Sequence, residues 1–368
     1  MTPVEIAIFA SVFFVIVMLV FVVMFFTTAG LGKRKEREFS FASAEKLFEL
    51  YTSVSVDPPE ALAVPSANVA TEQIRQAMTD GALLRARVLA ALVGELRQEP
   101  DFCPRELAQV FLPSFHQFKK PIDADFFFNA VAHPSIHTPL TPLLAVIANP
   151  LLFSICSPLE AHDLGPEHAA VRKRTMEPVL GMVYHMSRLL LSFEPDVYYL
   201  HEDADLLHAH TRQTERWLPS LVVGKRFIQR PFEEQRVLLA RKLALFRPEL
   251  RILTVIPDES GFICQVSDWI QRIQSERDDA IIGWMRVPEN DRRMCVEIAK
   301  TLTISEDTLQ IWRRGAILSC FRLALLLTGQ WSPIRAVLAE ENDPAIRVDL
   351  MAFMARESFC DSILQLRT

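Results

Sequence analysis

Apolar residues are distributed along this chain as one unbroken run near the start, followed by stripes at helical spacing over most of the remainder. From Ile6 to Phe26 it reads IAIFASVFFVIVMLVFVVMFF without a charge. As a helix this run is long enough to cross about 30 Å of hydrocarbon, which predicts a transmembrane span. A cleaved leader has a basic start and a shorter apolar core, whereas MTPVE carries an acid, so the span reads as retained. Downstream, GALLRARVLAALVGELRQE keeps Leu84, Val88, Ala91 and Leu92 on one stripe. PFEEQRVLLARKLALF sets Phe232, Leu239, Leu243 and Phe246 on one face and Glu233, Glu234, Arg241 and Lys242 toward the other, a pattern that calls for a partner helix. Pro104, Pro333 after Ser332, and Pro344 after Asp343 stand where helices open.

Two further apolar runs read as buried helices rather than additional spans. TPLLAVIANPLLFSIC, residues 141–156, is short and broken by Asn149-Pro150; GAILSCFRLALLLTG, 315–329, carries Arg322 at its centre. LRILTVIPDE, 250–259, is rich in β-branched residues and reads as extended, without an evident partner strand. The predicted fold is therefore all-α: one N-terminal transmembrane helix and an irregular multi-helix domain, α-solenoid-like or a bundle. The short antiparallel helices near the C-terminus resemble HEAT-type repeats, although no fixed period recurs. The expected organisation is a short extracytoplasmic N-terminus over 1–5, the span over 6–26, a juxtamembrane segment and linker over 27–70, and a helical domain over 71–368 with two subdomains dividing near 220.

Composition sharpens this picture. Half the residues are hydrophobic and only 11 of 368 are glycine, scarce for hairpin-rich folds or phosphate-cradling loops. Lys33, Arg34, Lys35 and Arg37 follow the span while Glu5 precedes it, so the positive-inside rule places the bulk of the chain in the cytoplasm, at a bacterial inner membrane. The net charge of -6 argues against a polyanion as main partner, since nucleic-acid affinity comes largely from clustered Lys and Arg. Cys103, Cys156, Cys264, Cys295, Cys320 and Cys360 are widely spaced and form no CxxC, which reads as reduced core thiols rather than a zinc site or disulfide framework.

Three stretches carry candidate chemistry. IAKTLTISEDTLQIWRRG, 298–315, resembles the helix-turn-helix of DNA-binding proteins, with Ala299 in the first helix, Ile304-Ser305 at the turn, and Leu309 and Trp312 packing the second helix; Thr303 stands where that family commonly has glycine. The resemblance implies DNA binding through residues 294–314, salt-sensitive and weakened by substitution of Arg313 and Arg314. The residues themselves point elsewhere: Ser305 reads as an N-cap, Ile298, Leu302, Leu309 and Trp312 as core. Glu306 and Asp307 occupy the helix end nearest the bases, where they favour the helix dipole and repel DNA. In YYLHEDADLLHAH, helical spacing would put His201, Asp205 and His208 on one face as a metal-ligand set, and a metal-dependent membrane enzyme follows as a third reading. VRKR, 171–174, and GKRFIQR, 224–230, read as solvated faces or contacts for acidic partners. No phosphate loop, GxSxG, GxGxxG or kinase motif set is present, so no enzyme, catalytic residue or cofactor is expected.

The function expected from these features is that of a structural scaffold or adaptor in a membrane complex such as a secretion, conjugation or motility machine. Its partners would be lipid, through residues 6–26, and other protein subunits in a hetero-oligomer.

Overall fold

Element order follows the apolar stripes in most places and departs from them in three. The computed structural model of the chain describes residues 63–99, 101–113, 115–168, 178–191, 193–200, 202–213, 216–275 and 284–368. The expected span at 6–26, the basic cluster at 33–37, and the VRKR stretch lie outside these residues. Among the described residues, no helix is long and apolar enough to cross a membrane.

The described part is mostly helical. Helix α1, Ala67–Thr79, opens where the Ser66 hydroxyl accepts the Val69 N–H and buries Ala70, Ile74 and Ala77 against α2, Leu83–Leu96. A stretch of turns leads to α3, Leu140–Ile155, and α4, Pro178–Leu190. Helix α5, Phe232–Ala244, follows a small sheet; then come α6, Glu259–Gln274, α7, Glu289–Thr301, and α8, Glu306–Thr328. The chain ends in α9, Trp331–Glu341, α10, Pro344–Ala355, and α11, Glu357–Arg367.

Helix α8 organises the core. It packs against α5, α6 and α10, and it is buried on all sides from Leu318 to Thr328. Such a helix carries no polar stripe because it meets no water. Arg322 within it has its charge met by Asp349 on α10, with Nε–Oδ2 at 2.9 Å and Nη2–Oδ1 at 2.5 Å. Gly315 is required by close approach: a Cβ there would stand 1.8 Å from the Ser135 hydroxyl in the turn that crosses α8. The helix stops at Gly329, whose φ of 64° closes the C-terminus in the left-handed conformation. Both apolar runs expected to be buried helices are so: α3 carries Leu143, Leu144, Ile147 and Ala148 in the core despite Pro150 inside it.

Within this mostly helical fold, residues 196–223 hold a small sheet that the all-α expectation did not include. There β1, Asp196–Tyr199, β2, Leu206–Gln213, and β3, Arg216–Val223, form a sheet of order β1-β3-β2, with β1 parallel and β2 antiparallel to β3. Its alternation has a physical basis: Val197, Leu206, Leu221 and Val223 join the main core, while Tyr198, Ala209 and Val222 face Leu164 in a second cluster. Pro219 in the central strand masks the pattern, because a proline argues against an interior strand. It is tolerated where β1 has ended, since the β1 pairing starts at Asp196↔Ser220. The described residues all fall in one compact unit, and position 220 lies inside β3.

Three element expectations also change. LRILTVIPDE is not extended; it forms a helical turn, Ile252–Val255, because Arg251 is drawn inward to the Phe246 carbonyl and to Asn149 Oδ1 at 2.8 Å, while Ile252 and Leu253 pack on α3. CPRELAQVFLPSF yields only the turn Arg105–Leu107, since Leu107 is buried but no apolar residue one turn later is. Helix α9 starts at Trp331, ahead of Ser332, because the Trp331 ring is itself anchored in the core; Asp343 does cap α10, accepting the Ala345 N–H at 2.9 Å.

Candidate functional site

The helix pair at 289–328 has the local architecture that its sequence suggests, with its second helix embedded in the core. Ser305 Oγ accepts the Thr308 N–H at 3.2 Å, and Ile298, Ala299, Leu309 and Trp312 are buried. Trp312 stacks on Phe262 with ring centroids 5.6 Å apart and donates Nε1–H to Thr141 Oγ at 2.8 Å. Gln274 of α6 caps the end of α7 by donating to the Ala299 and Leu302 carbonyls. The second helix is thus the spine of the domain. Arg313 donates to the Pro257 carbonyl at 2.7 Å and pairs with Glu259 at 3.2 Å; Arg314 lies 3.7 Å from Asp343. Thr303 does not take the positive φ that glycine would supply at such a turn. What α8 exposes at its start is Glu306, Asp307 and Ile311, an acidic and apolar tip.

The supposed metal face does not form. His201 lies outside the described residues; Asp205 precedes β2 and His208 lies within it, so the helical spacing that would align them is absent. Asp205 is held instead by Arg230, Nε at 3.1 Å and Nη2 at 2.6 Å, and Arg230 also grips Glu340 on α9. His208 donates Nε2–H to the Lys242 carbonyl at 2.8 Å, and His210 donates to the Thr254 carbonyl at 3.0 Å. Burial first, and the Lys242 ammonium second, push His208 down to about 3; burial chiefly holds His210 at about 4. Both are neutral hydrogen-bond donors that fasten the sheet to α5 and to the 252–255 turn. Among the described residues no group of His, Cys, Asp and Glu has the arrangement of a metal site.

One constellation was not visible in the sequence. The π-helical turn Phe127–Val131 delivers His133 and His137 to the junction of α8 and α10. His133 donates its backbone N–H to Ser319 Oγ at 2.8 Å, its Nδ1 lies 2.8 Å from Ser135 Oγ, and its Nε2 stands 3.6 Å from Asp349 Oδ1. Asp349 is held by Arg322, whose Nη1 also donates to the Ala132 carbonyl at 3.2 Å and whose guanidinium lies over the Phe353 ring. Burial and then Arg322 lower His133 to about 4, against the opposing pull of Asp349.

Serine, histidine and carboxylate in series is the order of an acyl-transfer relay, but the geometry is that of a staple. Ser135 Oγ donates to the Ile311 carbonyl at 3.2 Å and rests on the α8 backbone at Gly315, while the Ser135 N–H is aimed at the same imidazole nitrogen at 3.2 Å. The hydroxyl thereby ties the turn that carries His133 to the backbone of α8 at Ile311 and Gly315. The only sequence signal for the junction was Arg322 inside an apolar run, since a buried guanidinium requires a carboxylate. Nothing in the sequence singled out Asp349 as that partner.

No protein-family model matches the chain, and no curated protein or solved structure matches it.

Proposed function

We propose that this chain is a single-pass membrane protein, anchored by residues 6–26, whose helical body is a cytoplasmic scaffold or adaptor in a larger membrane complex such as a secretion, conjugation or motility machine. One observation carries the reading: among the described residues, several buried charged and imidazole side chains are engaged in holding the fold. Arg322 is bound to Asp349, Arg247 to Glu249 and to the Ile122 carbonyl, Arg230 to Asp205 and Glu340, and His208 and His210 to carbonyls. The surface also presents large apolar groups, including Phe111 at 84% and Met285 at 72% exposure, with Tyr184, Phe232 and Ile311 about half exposed. Aromatic and Met side chains are enriched where proteins meet. The charge-free run at 6–26 and the four cations after it support the anchor and its orientation.

Chemical crosslinking in the native membrane, followed by extraction in mild detergent and identification of the attached chains, tests this. A reproducible set of membrane-complex subunits is expected; recovery of the chain as a monomer without neighbours would overturn the reading. Protease added to intact spheroplasts should leave the C-terminus untouched, and its cleavage from outside would refute the orientation.

A further inference from the structure

Histidines in this fold are tied down with one exception, and the exception is a pair. His133, His162, His168, His208 and His210 each engage a ring nitrogen, and His137 hydrogen-bonds to the Phe128 backbone. His116 and His185 are exposed, and neither ring makes a hydrogen bond among the described residues. These two stand side by side, with ring centres 5.4 Å apart and planes inclined at 76°. They come from different elements. His116 belongs to the turn Phe115–Gln117, anchored by the buried Phe115 ring, and His185 to α4, on which that turn packs.

A neutral imidazole has one unprotonated nitrogen to give to a metal, and two imidazoles that share an ion chelate it. A metal–nitrogen bond of about 2 Å puts each ring centre about 3 Å from the ion, so two rings on one tetrahedral ion have centres about 5 Å apart, the separation found here. With no hydrogen bond to resist it, rotation about χ2 turns a nitrogen of each ring toward a shared point. The electrostatic setting favours the ligating form of His116. Burial first, then Arg236 and His185, hold it below the ordinary histidine value against the pull of Glu233, so the ring is neutral at pH 7. His185 borders Tyr184, over whose ring the Arg188 guanidinium lies 5.7 Å from the centre. Among the described residues no third His, Cys, Asp or Glu joins the pair, which makes it a two-ligand chelate and not a cluster of three or more.

We propose that His116 and His185 form a surface chelate for a divalent transition-metal ion of the class that prefers imidazole, Zn²⁺, Ni²⁺ or Cu²⁺, with water in the remaining positions. Mg²⁺ and Ca²⁺ favour oxygen ligands and are selected against. Both ligands are carried by packed elements, so the pair is brought together before the ion arrives. An ion held by two nitrogens at an exposed point exchanges readily and keeps positions open to a ligand from outside the chain. The site is independent of the anchor and of the scaffold reading.

The test is calorimetric titration of the untagged full chain in detergent, stripped with EDTA and exchanged into chelator-free buffer, with NiCl₂ and, for comparison, MgCl₂. One Ni²⁺ per chain should bind saturably, and Mg²⁺ should not. His116→Gln and His185→Gln should each weaken Ni²⁺ binding by about tenfold or more, and the double variant should bind no more weakly than either single one, because losing one arm already ends chelation. His162→Gln, at a ring that meets the His210 carbonyl, is the control and should leave the affinity unchanged. Protons compete with the metal for both rings, so affinity should fall at least about fivefold between pH 7.5 and pH 6. Absence of saturable Ni²⁺ heat, an affinity that neither substitution changes, or effects of the two substitutions that simply add, as independent histidines would give, overturns the chelate. If one variant does not fold, the other decides together with the pH dependence.

Discussion

Asp349→Ala is the substitution through which the design of the core is most directly examined. Arg322 has no exposed surface, and Asp349 accepts from both Nε and Nη2 while its own side chain is 9% exposed. Removing the carboxylate leaves a buried guanidinium with one bond, to the Ala132 carbonyl, and a cation–π contact with Phe353. Breaking a buried pair from one side costs about 3–5 kcal/mol, because the stranded charge loses its partner without regaining water. Replacing both members, Arg322→Met with Asp349→Leu, removes the charge together with its partner and should recover most of that loss, leaving about 1–2 kcal/mol of repacking cost. The assay is urea unfolding of the full chain in detergent, followed by circular dichroism, with Glu72→Ala as control. Glu72 belongs to a pair, with Arg75, that is 71% exposed on both sides, where a loss below about 1 kcal/mol is expected. If Asp349→Ala costs no more than Glu72→Ala, or if the double variant is less stable than Asp349→Ala, the buried pair does not hold α8 to α10 in the way argued here.

Acid should destabilise the domain through its buried histidines. His133 and His210 are held near 4 and His208 near 3, below their unfolded value, so the unfolded chain binds protons that the folded one refuses between about pH 6.5 and 4. Stability is therefore unaffected above this window and falls on acidification by up to about 1.4 kcal/mol per pH unit for each histidine; His208→Gln should flatten that slope in urea titrations at pH 7.5 and 5, and an unchanged slope would count against the account. Two glycines should respond in opposite directions in thermal melts. Gly224→Ala would push a Cβ to 2.2 Å from the Ala204 carbonyl and should destabilise by about 2 kcal/mol or more, whereas Gly181→Ala, in open space on α4, should stabilise by about 0.5–1 kcal/mol. Gel-shift titration of random duplex DNA at low salt should stay flat, and Arg313→Ala with Arg314→Ala should lower stability without altering it; salt-sensitive retention lost in that variant would restore the helix-turn-helix reading.

Much of the helical plan was written in short-range chemistry. Ser66, Ser305 and Asp343 cap helices through side-chain oxygens two or three residues from the N–H they accept, so their role is readable from neighbours alone. The same holds for Gly329 past the end of α8 and for the apolar runs that became α3 and α8. The sheet escaped because its evidence is long-range: β1 finds β3 across the whole of β2, and the histidines of β2 look as regular at helical spacing as at period two. Phe232 was expected on the core face with Leu239, Leu243 and Phe246, yet it is half exposed beside Arg236.

By itself, then, the sequence determined that this protein is mostly helical, that Ile6 to Phe26 has the composition of a membrane span, and that the residues around Ser305 form a capped helix pair. Each of these depends on chemistry within a few residues or on one periodicity. Tertiary structure alone decided that α8 is the buried spine of the core, that Arg322 finds Asp349, that His133 and Ser135 form a staple, and that Nε and Nη2 of Arg236 meet no partner among the described residues. Those outcomes depend on which distant side chain arrives at a buried charge, and local pattern carries no information about that.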